Sequence, residues 1–230
     1  MVSHEWKGSV FIILQKCTNL KHLTLDVRSE IDDTLLRTIA NLTPYLASLE
    51  IQISQSGINK VTGDGLNYFI STSNSIQTFK LENCKDIRTL NICSAHLGTL
   101  WLADCYSVKT MVIDCPSFIK LSLTFVPDEE DTTDLCNMLE NLDQSCPRLS
   151  KLHVSSPRLN HSVVLALASA NFRYLHMLSL TFGLEITDAS MISLASNFNN
   201  LQLLDLNQAF PTGDLVLYAM HFLEPSLSFL

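Results

Sequence analysis

Leu149-Ser-Lys-Leu-His-Val154, Leu175-His-Met-Leu-Ser-Leu180 and Leu201-Gln-Leu-Leu-Asp-Leu206 repeat one pattern at a spacing of 26 residues: an apolar residue followed three and five places later by two more. Working outward, the same run begins at Leu20, Leu46, Ile76, Leu97, Phe118 and Leu227, so nine runs fill the chain. Successive starts lie 26, 30, 21, 21, 31, 26, 26 and 26 residues apart. A unit this short cannot bury its own apolar face, so the period predicts a solenoid in which neighbouring turns complete one core.

Period-two alternation inside each run predicts a short strand whose fourth and sixth residues point inward and whose third, fifth and seventh point to an open face. Leu23 and Leu25 thus go in, and His22, Thr24 and Asp26 go out. Helical spacing follows most strands, after a polar residue that can cap free backbone N–H groups. Ile31-Asp-Asp-Thr-Leu-Leu-Arg-Thr-Ile, Val61-Thr-Gly-Asp-Gly-Leu and Ile186-Thr-Asp-Ala-Ser-Met-Ile-Ser-Leu-Ala share this plan.

The middle departs from it. Ile87-x-x-Leu90-x-Ile92 and Val108-x-x-Met111-x-Ile113 follow the preceding strands by only ten or eleven residues. A helix of two turns alone takes about seven residues, which leaves too few for the loops. These triplets are therefore expected as short extended segments on the convex side. The 31-residue interval after Phe118 holds Pro127-Asp-Glu-Glu-Asp-Thr-Thr-Asp134 and then Leu135, Met138, Leu139 and Leu142 at helical spacing. This reads as a solvated acidic loop leading into a helix. Residues 9–16 read as a helix without a strand of its own, and the last run ends the chain at Leu230. The expectation is one domain over 1–230, a fragment of about nine turns without caps.

Apolar residues make up 47% and charged residues 17%, with a net charge of −8. Such a balance supplies a large core and argues against a phosphate-binding surface, hence against nucleic acid as a partner. No apolar run reaches the length that spans a bilayer, which argues against membrane insertion. The first fifteen residues carry neither a basic segment before an apolar one nor a small-residue cleavage site, so the chain is expected in the cytoplasm or nucleus.

Seven cysteines stand at 17, 84, 93, 105, 115, 136 and 146, with no CxxC pair. They are expected as reduced thiols packed at the bends between turns. The seven histidines are scattered over separate turns, and only His22 and His153 fall on open-face positions. Thr62-Gly-Asp-Gly65 lacks the lysine and spacing of a phosphate loop. No metal site, cofactor or catalytic residue is expected, and no enzymatic activity.

Read turn by turn, the open face is polar and rich in small residues. Its candidates for binding a protein are Glu50, Lys80, Glu82, Thr99, Trp101, Lys120, Lys151, His153, Met177, Leu203 and Asp205. Trp101 beside Ala103, flanked by Lys80 and Lys120, has the composition of an anchor, because an aromatic ring buries much area at little entropic cost. An equal alternative is that its ring lies flat on adjacent strands.

A period in the twenties with Leu-x-x-Leu-x-Leu at its centre resembles a leucine-rich repeat. Cys146-Pro-Arg-Leu-Ser-Lys-Leu-His-Val154, and Ile186-Thr-Asp-Ala-Ser-Met-Ile-Ser-Leu-Ala195 before Leu201, resemble the cysteine-containing repeats of F-box proteins. The 21-residue turns with Cys84-Lys-Asp-Ile87 and Cys115-Pro-Ser-Phe118 are similar to those of plant F-box repeat proteins. The resemblance implies an α/β fold: a right-handed solenoid with a curved parallel sheet on the concave face. Helices back that sheet everywhere except the strand-backed middle. It also implies a non-catalytic scaffold, the substrate-recognition arc of an F-box type ubiquitin ligase. A Skp1-type adaptor would join only through an F-box lying outside this chain, since none is recognisable within it. The alternative is an adaptor, inhibitor or immune-receptor repeat module unrelated to ubiquitin.

Overall fold

The structure, a computed structural model, describes residues 2–54, 57–106, 108–127, 133–140, 142–183 and 186–207, with side chains from residue 8 onward. Eight strands make the inner layer: β1 (His22–Val27), β3 (Ser48–Ile53), β5 (Thr78–Leu81), β7 (Thr99–Cys105), β9 (Lys120–Phe125), β10 (Lys151–Ser155), β11 (Met177–Thr181) and β12 (Leu203–Asp205). They form one sheet in that order, and every neighbouring pair is parallel. Eight of the nine runs thus become strands of a single sheet; the ninth, at Leu227, lies outside the described residues.

Register explains why the solenoid holds. Leu23, Leu49, Phe79, Leu100, Leu121, Leu152, Leu178 and Leu204 face one another in turn across the sheet. From Leu49 onward each member of this ladder is buried, whereas Leu23 is half-buried. Burying one such side chain contributes about 1.5–3 kcal/mol, so the ladder and its twin through Ile51 and Leu102 carry much of the fold's stability.

The convex layer contains α1 (Val2–Lys16), α2 (Asp33–Leu42), α3 (Gly63–Thr72), then β6 (Thr89–Cys93) and β8 (Thr110–Asp114). It continues through α4 (Leu135–Leu139), α5 (Leu142–Ser145), α6 (His161–Ser169) and α7 (Asp188–Asn197). The strands β6 and β8 pair in parallel behind the middle of the sheet, with α3 packed on one side and α4 on the other. Helix-backed arcs therefore flank a strand-backed one, as the short central spacing requires. Caps fall at the polar residues that precede the helices: Asp32 Oδ1 accepts from Leu35 N at 3.2 Å, Thr62 Oγ1 from Gly65 N at 3.3 Å, and Asn160 Oδ1 from Val163 N at 3.1 Å.

Three expectations need correction, and one element was not anticipated. The first helix begins at Val2, not near Ser9. A small parallel pair, β2 (Glu30–Asp32) with β4 (Ile58–Lys60), forms in the loops after β1 and β3, too short to leave a periodic signal. The leucines after Asp134 divide between α4 and α5 rather than forming one helix, and most of the acidic loop before them lies outside the described residues. Cys17 and Cys93 are exposed: Cys17 follows α1, and Cys93 ends β6 on its outward-facing alternation.

The remaining five cysteines behave as packing groups, with Cys136 half-buried on α4 against the core. Cys84, Cys105, Cys115 and Cys146 are buried at successive bends. Burial pushes the Cys115 thiol from 9.0 up to about 12 and the Cys146 thiol up to about 11. Cys84 is raised too, by burial and then by its hydrogen bond with Cys105. Cys84 and Cys105, 21 residues apart, each follow a left-handed residue: Asn83 has φ 57° and Asp104 φ 58°. Asn and Asp tolerate that region better than most residues.

Candidate protein-binding face

Strand pairing arranges the outward side chains in rows across the turns. The first row runs His22, Ser48, Thr78, Thr99, Lys120, Lys151, Met177, Leu203, and the second Thr24, Glu50, Lys80, Trp101, Ser122, His153, Ser179, Asp205. Ten of the eleven candidate residues belong to these two rows; Glu82 directly follows β5. Two depressions mark the face. They adjoin at Lys120.

The first depression, of about 300 Å³, is lined by Glu50, Lys80, Glu82, Trp101 and Lys120 among others. Its charges are largely spent on the protein itself. Lys80 Nζ pairs with Glu50 Oε2 at 3.2 Å, and Gln52 Nε2 donates to Glu50 Oε1 at 3.1 Å. Glu82 reaches back to accept from Ile53 N at 3.0 Å, so it closes the end of β3. Trp101 is half-buried beside them, neither sealed in the core nor standing free.

Two small residues expected on the open face are buried. Ser122 is 3% exposed, and its row neighbours on either side are Trp101 and His153, the two largest rings of the row. Ala103, 7% exposed, sits where the β7–β9 register shifts, because the extra residue at Asp104 turns the strand's end.

The second depression, of about 600 Å³, spans β9 to β12 and is lined by Lys120, Lys151, His153, Met177, Ser179, Leu203 and Asp205 among others. A hydrogen-bonded chain crosses its floor. Ser179 Oγ donates to Asp205 Oδ2 at 2.8 Å, and His153 Nδ1 lies 2.8 Å from Ser179 Oγ. A hydroxyl has one proton, so with that proton on Asp205 the oxygen accepts from the ring; this assigns the hydrogen to Nδ1 and leaves Nε2 as an acceptor. Burial holds the His153 ring below its usual 6.5; Asp205 opposes that shift and Lys120 adds to it. The ring is neutral at pH 7.

These three residue types also occur in hydrolytic triads, but here the serine is in the middle. Its oxygen accepts from the imidazole and its proton faces a carboxylate, whereas a triad needs an imidazole ready to take the serine proton. The chain is a brace. Sequence reasoning missed it by treating the turns separately, although His153, Ser179 and Asp205 stand 26 residues apart in series. Of the other histidines, His161 Nδ1 lies 2.7 Å from Thr187 Oγ1 and His176 Nδ1 3.3 Å from Ser150 Oγ; both tie neighbouring turns together. Among the described residues no group of His, Cys, Asp and Glu is placed to hold a metal ion.

The rows, the spacing and the two layers are those of a leucine-rich repeat, and the family described as At1g61320/AtMIF1, LRR domain, matches residues 45–228. The chain belongs to that leucine-rich-repeat family. The chain is also 41% identical over 200 residues to F-box/LRR-repeat protein 17 of Arabidopsis thaliana. The match covers 87% of this chain and 34% of that protein, so the chain spans about a third of the length of the curated relative it matches. The resemblance to F-box repeats at Cys146–Val154 and Ile186–Ala195 is thereby supported. A solved structure, titled as the Rad7 and Elc1 complex in yeast, matches with a TM-score of 0.48 and 14% identity, over 95% of this chain and 65% of that one. The family and its repeats make this a protein-interaction repeat module.

Proposed function

We propose that this chain is the substrate-recognition arc of an F-box type ubiquitin ligase, acting by binding rather than by chemistry. The observation that carries the reading is the open face itself. Eight parallel strands present two adjoining depressions with a half-buried Trp101, two exposed lysines and two half-buried apolar side chains, a mixture suited to a protein surface. The identity with an F-box/LRR protein supports the link to ubiquitin. A Skp1-type adaptor would be held by an F-box outside these residues. Buried unpaired thiols suit the reducing cytoplasm or nucleus.

The test is affinity capture of the full natural protein, native and with Trp101→Ala. The expected result is a Skp1-type adaptor with both baits and a further protein with the native bait alone. Absence of the adaptor would remove the ligase reading and leave an adaptor or inhibitor module. Equal capture of every partner by the two baits would move the binding surface away from Trp101.

A further inference from the structure

Lys120 and Lys151 are direct partners across β9 and β10, and both side chains are exposed. Like charges placed opposite one another destabilise a sheet. Two other lysines are neutralised by acids on a neighbouring turn: Lys60 pairs with Glu30 at 2.9 Å and Lys80 with Glu50 at 3.2 Å. Among the described residues no acid pairs with Lys120 or Lys151. The nearby Asp205 is already engaged, its Oδ2 by Ser179 and its Oδ1 by Asn207 N at 3.1 Å. A twin positive charge is thus left open to solvent on a chain whose net charge is −8.

The same row continues into Met177 and Leu203, both half-buried. Strands lie about 4.8 Å apart, so the four residues span roughly 14 Å, the reach of about four residues of extended chain. One end of this span is cationic and the other apolar. The floor between them is rigid, because His153, Ser179 and Asp205 satisfy one another.

We propose that this depression is the docking site for an extended acidic segment of a partner protein. A carboxylate side chain of that segment would sit on Lys120 and Lys151, and a large apolar one, two residues along, on Met177 and Leu203. In an extended chain, side chains two residues apart share a face and lie about 6.7 Å apart, which flexible lysines accommodate. Charge decides for a carboxylate over a phosphate: two lysines and Asp205 leave a local charge of +1, which matches one carboxylate and falls short of a phosphate dianion. This rests on the reading of the open face as a protein-binding surface.

The experiment selects binders from a displayed library of random twelve-residue peptides on the immobilised chain, native, Lys120→Gln/Lys151→Gln, and Met177→Ser/Leu203→Ser. The native chain is expected to enrich Glu or Asp followed two places later by Leu, Ile, Met or Phe. The lysine variant should lose the acidic preference and bind the selected peptide at least tenfold more weakly, with the native affinity falling as salt rises. The Met177/Leu203 variant should keep the acid and lose the apolar preference. Enrichment without acidic residues, or acidic enrichment untouched by the lysine changes, overturns the proposal. So does tighter binding of a phosphoserine version of the selected peptide, or of a single-stranded oligonucleotide. Both lysines are exposed, so an unchanged melting curve shows that their variant folds. If the full protein still captures its partner through Trp101 while the lysine change has no effect, this inference fails and the scaffold reading stands. Loss of all capture by native protein would sink the scaffold reading itself.

Discussion

Ser179 Oγ donates a hydrogen bond to Asp205 Oδ2 at 2.8 Å, although the two residues belong to different turns 26 positions apart. The bond is possible because β11 and β12 place them side by side in one row. Ser179→Ala leaves Asp205 Oδ2 and the His153 Nδ1–H without this partner, so urea denaturation should show a loss of about 1–2 kcal/mol. An unchanged midpoint would mean that water replaces the hydroxyl without cost.

Stability should fall in mild acid through His153. Its folded value lies below 6.5, so above pH 6.5 the ring is neutral in both states and its contribution is complete. As pH drops through 6.5 the unfolded chain takes up the proton first, and the stabilisation drains away until the folded ring also protonates. The charged groups around the ring are Asp205, through Ser179, and Lys120. Following this imidazole by NMR titration checks the sign: a midpoint above 6.5 contradicts it.

Trp101→Ala should weaken capture of the partner by about 2 kcal/mol or more while moving the melting temperature little, because the ring is only half-buried. Comparable loss of folding would assign the ring to the core instead.

Thiol labelling followed by mass spectrometry should divide the cysteines. Cys17 and Cys93 react in the native protein; Cys84, Cys105, Cys115 and Cys146 react only on unfolding. The same burial predicts alkaline weakening. Cys115 is raised from 9.0 to about 12, so its stabilisation is complete below pH 9 and declines as pH climbs from there through 12.

Gly65 allows Asp33 of the previous turn to approach closely; a Cβ there would collide with the Asp33 carboxylate. That carboxylate accepts from Thr62 N at 2.8 Å and from Thr62 Oγ1 at 2.7 Å. Gly65→Ala should therefore destabilise by about 2 kcal/mol, because the clash outweighs the roughly 1 kcal/mol that Ala gains from helix propensity. Calorimetry of Gly65→Ala beside Asp33→Ala would show whether both lose the same contact.

Much of the fold was legible because one constraint, stacking Leu onto Leu, imposes itself on every turn. The alternation at Leu149, Leu152 and Val154 gave the face of each strand, and the cramped interval before Leu90 and Met111 announced extended segments. What stayed hidden depends on relations between turns. The brace needs His153, Ser179 and Asp205 in one row, and row membership follows from register rather than from local pattern. Ser122 looked exposed because alternation reports direction, not what large neighbours cover. Ala103 was misplaced because a left-handed Asp104 ends the alternation one residue early. Ten of the eleven candidate residues lie in the sheet, Glu82 just beyond β5, but alternation said nothing of their pairing: Glu50, Lys80 and Glu82 are engaged with the protein, and no acid among the described residues pairs with Lys120 or Lys151.

At the joint between the two kinds of backing, Gly63 opens α3 against the backbone carbonyl of Thr89, so closely that no Cβ fits. Thr89 pairs in register with Thr110, the same residue one unit of 21 further on. Excising residues 76–96 would splice Ser75 to Leu97 and put Thr110, the same residue type, in the place of Thr89 opposite Gly63. The arc is in that sense adjustable in length: removing or duplicating one 21-residue unit would keep a threonine opposite Gly63 while changing how far the open face extends.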